Sequence, residues 1–194
     1  MSNIISSFNQ LVELVQEFSG GRDPITGQTL ETPQVVDDLN PPATKKAVQD
    51  LEQQLELKLP DELQQLLAVH DGQNEKGPPA FGLYSFSPIS QMANRYTSHK
   101  SMPGDQKQDQ PDDERLQPYY WHLGWLPIGH WEQSELMVDL APSSKGTPGQ
   151  VFILGHAGFA SLVIAPSLND FLQLTIKKLN DAPDFGFEYE PFAQ

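Results

Sequence analysis

Cysteine is absent from this chain and positive charge is scarce: 12 Lys and Arg stand against 26 Asp and Glu, a net charge of −14. Without cysteine there can be no disulfide, thiol nucleophile or thiolate metal site. A chain this acidic has no basic face to neutralise phosphates, so no nucleic-acid partner is expected, and an anionic membrane surface is disfavoured for the same reason. No apolar run is long enough to span a bilayer. The longest, 151–166, is broken by Gly155, His156, Gly158 and Ser161. The first positive side chain is Arg22, and Glu13 and Glu17 interrupt the apolar residues before it. No signal peptide is expected on that pattern, and the chain reads as cytoplasmic.

Catalytic patterns are also missing. No Gly-rich phosphate loop follows a strand-like run. His70, His99, His122, His130 and His156 form no i, i+4 pair with a nearby Glu, as a zinc hydrolase would need. No serine sits in a nucleophile-elbow pattern, and the acidic stretch has Lys107 where a calcium loop would place an oxygen ligand. The expectation is a non-enzyme with no cofactor and no metal.

What is present is a scaffold. Apolar bursts at 136–140, 151–154 and 161–165 are separated by Pro142, Gly146, Pro148 and Gly149, then by Gly155 and Gly158. β-Branched runs between such turns predict an antiparallel meander. After Pro166 and Ser167, residues Phe171, Leu172, Leu174, Ile176 and Leu179 take helical spacing, which lays an amphipathic helix across one face of the sheet. The fold class expected is α+β, a single domain over 1–194 with a largely antiparallel sheet flanked by helices.

Towards the N-terminus, Ile4, Phe8, Leu11, Val15 and Phe18 make one helical stripe over 3–19, capped by Ser2 or Asn3 and ended by Gly20 and Gly21. Residues 20–43, with Pro24, Pro33, Pro41 and Pro42, read as an irregular strap. Thr44 caps a second helix with Val48, Leu51 and Leu55 inside. Pro60 opens a third, with Asp61 and Glu62 at its positive end, Leu63, Leu66, Leu67 and His70 facing inward, and Gly72 as its stop. Leu59 and Leu63 are expected beneath the final helix. His70 beside Asp71 is read as a histidine serving helix-end carbonyls. Residues 81–92 predict a strand and turn, 93–117 the least structured part of the chain, and 105–115 a solvated loop with five acids and two bases.

Two segments combine acidity with aromatic area. One is the loop bearing Asp112, Asp113 and Glu114, which leads into Tyr119, Tyr120 and Trp121. The other is the tail 180–194, with Asp184, Phe187 and Tyr189. Interfaces draw binding energy from aromatics and encounter rate from surrounding charge, so these nine residues are the candidate contacts with a basic protein partner. The competing reading makes the aromatics core and the acids merely solvated. The tail either straps the sheet or stays mobile.

Several blocks carry a family resemblance. Leu51-Glu52, Leu59-Pro60 and His70-Asp71-Gly72-Gln73 resemble the N-terminal signature of the SUKH superfamily, within it the Smi/Knr family of cell-wall assembly regulators. Tyr120-Trp121 through Trp125-Leu126-Pro127-Ile128 is similar to the family's aromatic strand. Val138-Asp139-Leu140-Ala141-Pro142, Gly149-Gln150-Val151, Ala165-Pro166-Ser167 and Phe171-Leu172 resemble its closing strands and helix. The chain departs from the family at Trp131-Glu132-Gln133-Ser134-Glu135, where a glycine-containing turn is usual. The resemblance implies an α+β fold and a non-enzymatic, partner-binding role. Bacterial members neutralise polymorphic toxins as immunity proteins, and fungal members regulate glucan synthesis through protein contacts. Together with the charge, the first expectation is a cytoplasmic immunity protein occluding a basic toxin; the alternative is a regulatory adaptor of cell-wall (glucan) synthesis.

Overall fold

The computed structural model describes residues 3–19, 34–101, 107–108, 111–154, 161–182 and 184–192. Among them the chain runs α1 (Ile4–Ser19), α2 (Val35–Asp38), α3 (Lys45–Leu55), α4 (Asp61–Leu67), β1 (Ser85–Phe86), α5 (Ile89–Ser101), β2 (Trp125–Trp131), β3 (Ser134–Asp139), β4 (Gln150–Leu154), β5 (Leu162–Ala165) and α6 (Leu168–Asp181). The five strands pair in chain order, every neighbour antiparallel, so the sheet is an open meander. The register of β2 against β3 shifts between Pro127 and Gly129. A bulge there is how a strand interior tolerates a proline that cannot donate.

At the starts of α1, α3 and α6 a side-chain oxygen accepts from one of the first N–H groups. Asn3 Oδ1 accepts from Ile5 N at 3.1 Å, Thr44 Oγ1 from Ala47 N at 3.1 Å, and Ser167 Oγ from Asp170 N at 3.1 Å. Glu62 of α4 adds a tertiary cap, accepting from Asn169 N at the start of α6.

Period-2 alternation sorts the strand side chains onto two faces. Leu126, Ile128, Leu136, Val138, Val151 and Ile164 join the main core beneath the helices, where α6 lies on β4 and β5 and also packs against α1 and α4. Trp125, Met137, Phe152, Leu154 and Val163 point the other way into a smaller cluster closed by Leu116, Trp121 and Phe192. Leu59 and Leu63 are buried in the main core, as their spacing predicts.

Some expectations need correction. Residues 93–101 are not unstructured: they belong to α5, which buries Met92, Tyr96 and His99 at helical spacing. The strand expected over 81–92 shrinks to Ser85 and Phe86. α4 ends at Leu67, so His70 lies beyond it. Tyr120 and Trp121 precede β2 rather than forming part of it. Residues 20–33 of the expected strap lie outside the described residues; 35–38 form one helical turn.

Candidate partner-binding surfaces

The signature block at 70–73 is the natural first place to look for chemistry, and each of its residues is committed to the fold. His70 Nδ1 donates to Asn40 O at 3.0 Å. Asp71 Oδ1 accepts from Ile89 N at 2.8 Å, capping the start of α5. Gly72 has φ +68, and a Cβ there would sit 2.3 Å from Pro88 N, so only glycine fits. Gln73 is fully enclosed. Its Oε1 accepts from Ala80 N and Phe86 N at 2.8 and 2.9 Å, and its Nε2 donates to Asp38 Oδ2 at 3.0 Å and Pro78 O at 3.2 Å. Burial would raise the Asp38 carboxyl, but Gln73 and the backbone N–H groups of 75–77 outweigh it and hold it below the usual range. Glu52 works in the same manner, accepting from Leu59 N at 3.0 Å and from Lys58. The block is a polar clamp joining α2, α4, β1 and α5.

The loop at 112–115 is not merely solvated. It covers the free edge of β5. Asp112 Oδ2 accepts from Ser161 N at 2.8 Å, and Asp113 Oδ2 from Val163 N at 3.3 Å. Arg115 pairs with Asp113 through Nε (2.8 Å) and Nη2 (2.6 Å), donates to Val163 O at 3.3 Å and Phe192 O at 2.9 Å, and lies 4.6 Å from the Phe192 ring centroid. The Asp113 and Arg115 side chains are only 10% and 12% exposed. Burial pushes the Asp113 carboxyl up, but the guanidinium and N–H groups overcome it and leave it lowered. An exposed strand edge is an aggregation template, and here two carboxylates and an arginine satisfy it. Glu114 differs: it is exposed and paired with Lys145 at the surface.

Of the aromatic candidates, Tyr120 stands 63% exposed. Tyr119 is half-buried, with Lys107 Nζ 5.7 Å from its ring. Trp121 is half-buried and stacks on His99 at 4.4 Å and 14°. His99 in turn contacts Glu135, which also accepts from Arg95 Nη1 at 2.8 Å. Desolvation raises Glu135, and His99 and Arg95 together bring it below its ordinary value. A second enclosed carboxyl, Asp139, accepts from Ala141 N and Gln150 Nε2, both at 3.0 Å; burial dominates there and pushes it up to about 6.

The tail over 184–192 straps back onto the domain. Asp184 is exposed and Phe187 half-buried, with Lys178 Nζ 5.9 Å from its ring. Tyr189 is core: its hydroxyl is 2.8 Å from Thr175 Oγ1, its ring 5.8 Å from that of Phe171, and burial pushes its phenol strongly upward. It cannot serve as a surface contact in this conformation. The tail and the β2–β3 turn enclose a cleft of about 1320 Å³. The turn contributes Trp131, Glu132 and Gln133 to its lining and the tail Phe185, Phe187 and Glu188, with Tyr84 and Ile153 among the other lining residues. Burial pushes the Tyr84 phenol up to about 12. The candidate residues thus fall at separate places: Asp112 and Asp113 on the β5 edge, Glu114 at the surface with Lys145, the 119–121 aromatics before β2, and Phe187 and Tyr189 at this cleft.

Reasoning from sequence missed Trp131 and Glu132, although the glycine-free turn was their visible signal. Among the described residues, no group of three or more His, Cys, Asp or Glu could hold a metal ion, and no helix is long and apolar enough to cross a membrane.

An open meander flanked by helices makes this an α+β domain. More narrowly, the chain belongs to the SMI1 / KNR4 family (SUKH-1), whose profile matches residues 42–174. A glucan synthesis regulatory protein of Neurospora crassa is 27% identical over 188 residues, covering 76% of this chain and 35% of that protein. The cell wall biosynthesis/cell cycle regulator smi1 of Schizosaccharomyces pombe is 30% identical over 153 residues, 68% of this chain and 30% of its own length. A KNR4/SMI1 homolog of Yarrowia lipolytica is 27% identical over 195 residues, 73% and 27% respectively. The chain spans about a third of the length of the first two relatives.

Proposed function

We propose that this chain is a non-enzymatic, protein-binding regulatory domain acting in cell-wall (glucan) synthesis. The observation that carries the reading is the cleft between the β2–β3 turn and the tail, whose lining is rich in aromatic residues and includes two carboxylates. The relatives' names, glucan synthesis and cell-wall regulators, favour this role over the immunity role placed first on sequence grounds. The partner is a basic protein, met in the cytoplasm, with neither nucleic acid nor membrane involved. Residues 1–194 act as one domain; the main core already draws on α1 and the tail as well as the sheet.

Deleting the gene in its host and measuring wall glucan and sensitivity to wall-lytic enzymes tests the reading. Altered glucan restored by this chain supports it, and a wall indistinguishable from wild type overturns it. The net charge of −14 keeps one second reading in view, neutralisation of a basic toxin. A toxin gene beside this one, whose product the chain silences, would favour that reading.

A further inference from the structure

The cleft carries more information than its size. Four non-glycine residues among those described have positive φ, and two of them line it: Glu132 (φ 51) and Phe185 (φ 60). Left-handed backbone is rare outside glycine and uncommon for a bulky side chain. Such strain persists where the surroundings enforce it and gathers at functional sites. In Glu132 it occupies the two-residue connection between Trp131 and Ser134, which pair across the hairpin end. Glycine would suit that connection better. The chain instead places a carboxylate there, beside a tryptophan that is 47% exposed.

The lining is also one-sided in charge. Glu132 and Glu188 are its ionisable acids, and among the described residues no Lys, Arg or His lines it. Its aromatic rings are suited to a cation, and Phe187 already has Lys178 Nζ at 5.9 Å. About 1320 Å³ exceeds what a small metabolite fills, and it suits several side chains of a peptide.

We infer that this cleft is the docking site for a partner segment in which Arg or Lys alternates with apolar side chains, the cation held between Glu132, Glu188 and the Trp131 ring. The inference rests on the protein-binding reading above and specifies where and what the domain binds.

The test is selection of a displayed library of random peptides of about ten residues on the intact chain, followed by titration of the enriched peptides in solution. Enriched sequences should carry Arg or Lys beside aliphatic or aromatic residues, and their affinity should fall as salt rises. Trp131→Ala and Glu132→Lys should each weaken binding about tenfold or more. Glu132→Gly separates function from folding: relief of the positive φ should leave the melting temperature unchanged or higher while binding still weakens. Neutral or acidic winners, binding indifferent to these substitutions, or no winners at all would overturn the inference. So would a dimer of the chain that Trp131→Ala dissolves, since a second copy would then be the occupant. The two levels fail separately in the host. Full rescue of the wall phenotype by Glu132→Lys sinks the cleft and leaves the regulatory role standing, whereas a deletion without any wall phenotype sinks the role whatever the peptides do.

Discussion

Asp113→Ala is the substitution that most sharply separates a solvated acidic loop from a built edge cap. On the solvated reading, the triple change of Asp112, Asp113 and Glu114 to neutral residues would leave the melting temperature nearly unchanged. The structure predicts otherwise. Removing the Asp113 carboxylate strips Arg115 of a two-pronged partner and leaves a guanidinium whose side chain is 12% exposed without its counter-charge. It also frees Val163 N on the outer edge of β5. Breaking one side of an enclosed pair costs about 3–5 kcal/mol; the long 3.3 Å bond to Val163 argues for about 3. For a chain of this length that lowers the melting temperature by roughly 6–12 °C. Because the folded-state pKa of Asp113 is lowered, its contribution is present above the unfolded value of 3.8 and disappears as pH falls through the folded one. The wild type and the variant should therefore converge in acid. Urea denaturation at neutral and acid pH measures this, with Glu114→Gln as a control expected within about 0.5 kcal/mol. An Asp113→Ala shift as small as the control's would show that the edge needs no cap.

Gln73→Ala should cost about 3–5 kcal/mol, because it orphans Ala80 N and Phe86 N together and takes one of its donors from Asp38; a small loss in chemical denaturation would mean that water replaces the amide freely. Leu63→Ala should cost about 2–5 kcal/mol as a truncation in the main core, and a denaturation shift near zero would misplace α4. Asp139 works in the opposite sense to Asp113. Its folded pKa is raised from 3.8 to about 6, so its ionisation erodes stability as pH rises across that window, by about 3 kcal/mol in all. Relative to wild type, Asp139→Asn should therefore gain about 2 kcal/mol between about pH 4.5 and about pH 7, and an equal stability difference at both pH values would refute it.

The parts of the fold visible in the sequence were those where one periodicity dominates. The bursts at 136–140, 151–154 and 161–165 match β3, β4 and β5, and the stripe from Phe171 to Leu179 falls within α6, because turn residues precede each of them. α5 escaped notice for a physical reason. Only Met92, Tyr96 and His99 are buried along its length, and apart from Ile89 and Ala93 the rest of the helix is polar, so its pattern looks like a loop. The site was harder still. Asp112 and Asp113 resemble steering charges in sequence, and only the meander brings β5 to the edge they cover, about fifty residues further along the chain. Tyr189 has the composition of an interface residue, and Thr175 draws it inside. Trp131 and Glu132 announced themselves only as a turn that lacked its glycine.

The placement of the acids changes which experiment can locate a partner. Each internal pair (Asp113 with Arg115, Glu135 with Arg95, Glu114 with Lys145) removes one charge of each sign, so the excess of −14 remains on the other carboxylates. Long-range attraction of a cationic partner follows that whole distribution and not any single loop. Neutralising a few acids anywhere would slow association modestly and weaken its salt dependence, whether or not those acids touch the partner. Differences in association rate therefore cannot pick out the docking surface. Dissociation can, because the contacts that hold a complex act mainly on its lifetime. Trp131→Ala should shorten the life of the complex and leave its formation rate nearly untouched, while Glu114→Gln should do the reverse and only slightly. If Glu114→Gln shortened the lifetime and Trp131→Ala did not, the contact would lie on the Glu114–Lys145 surface and the cleft would be empty of partner.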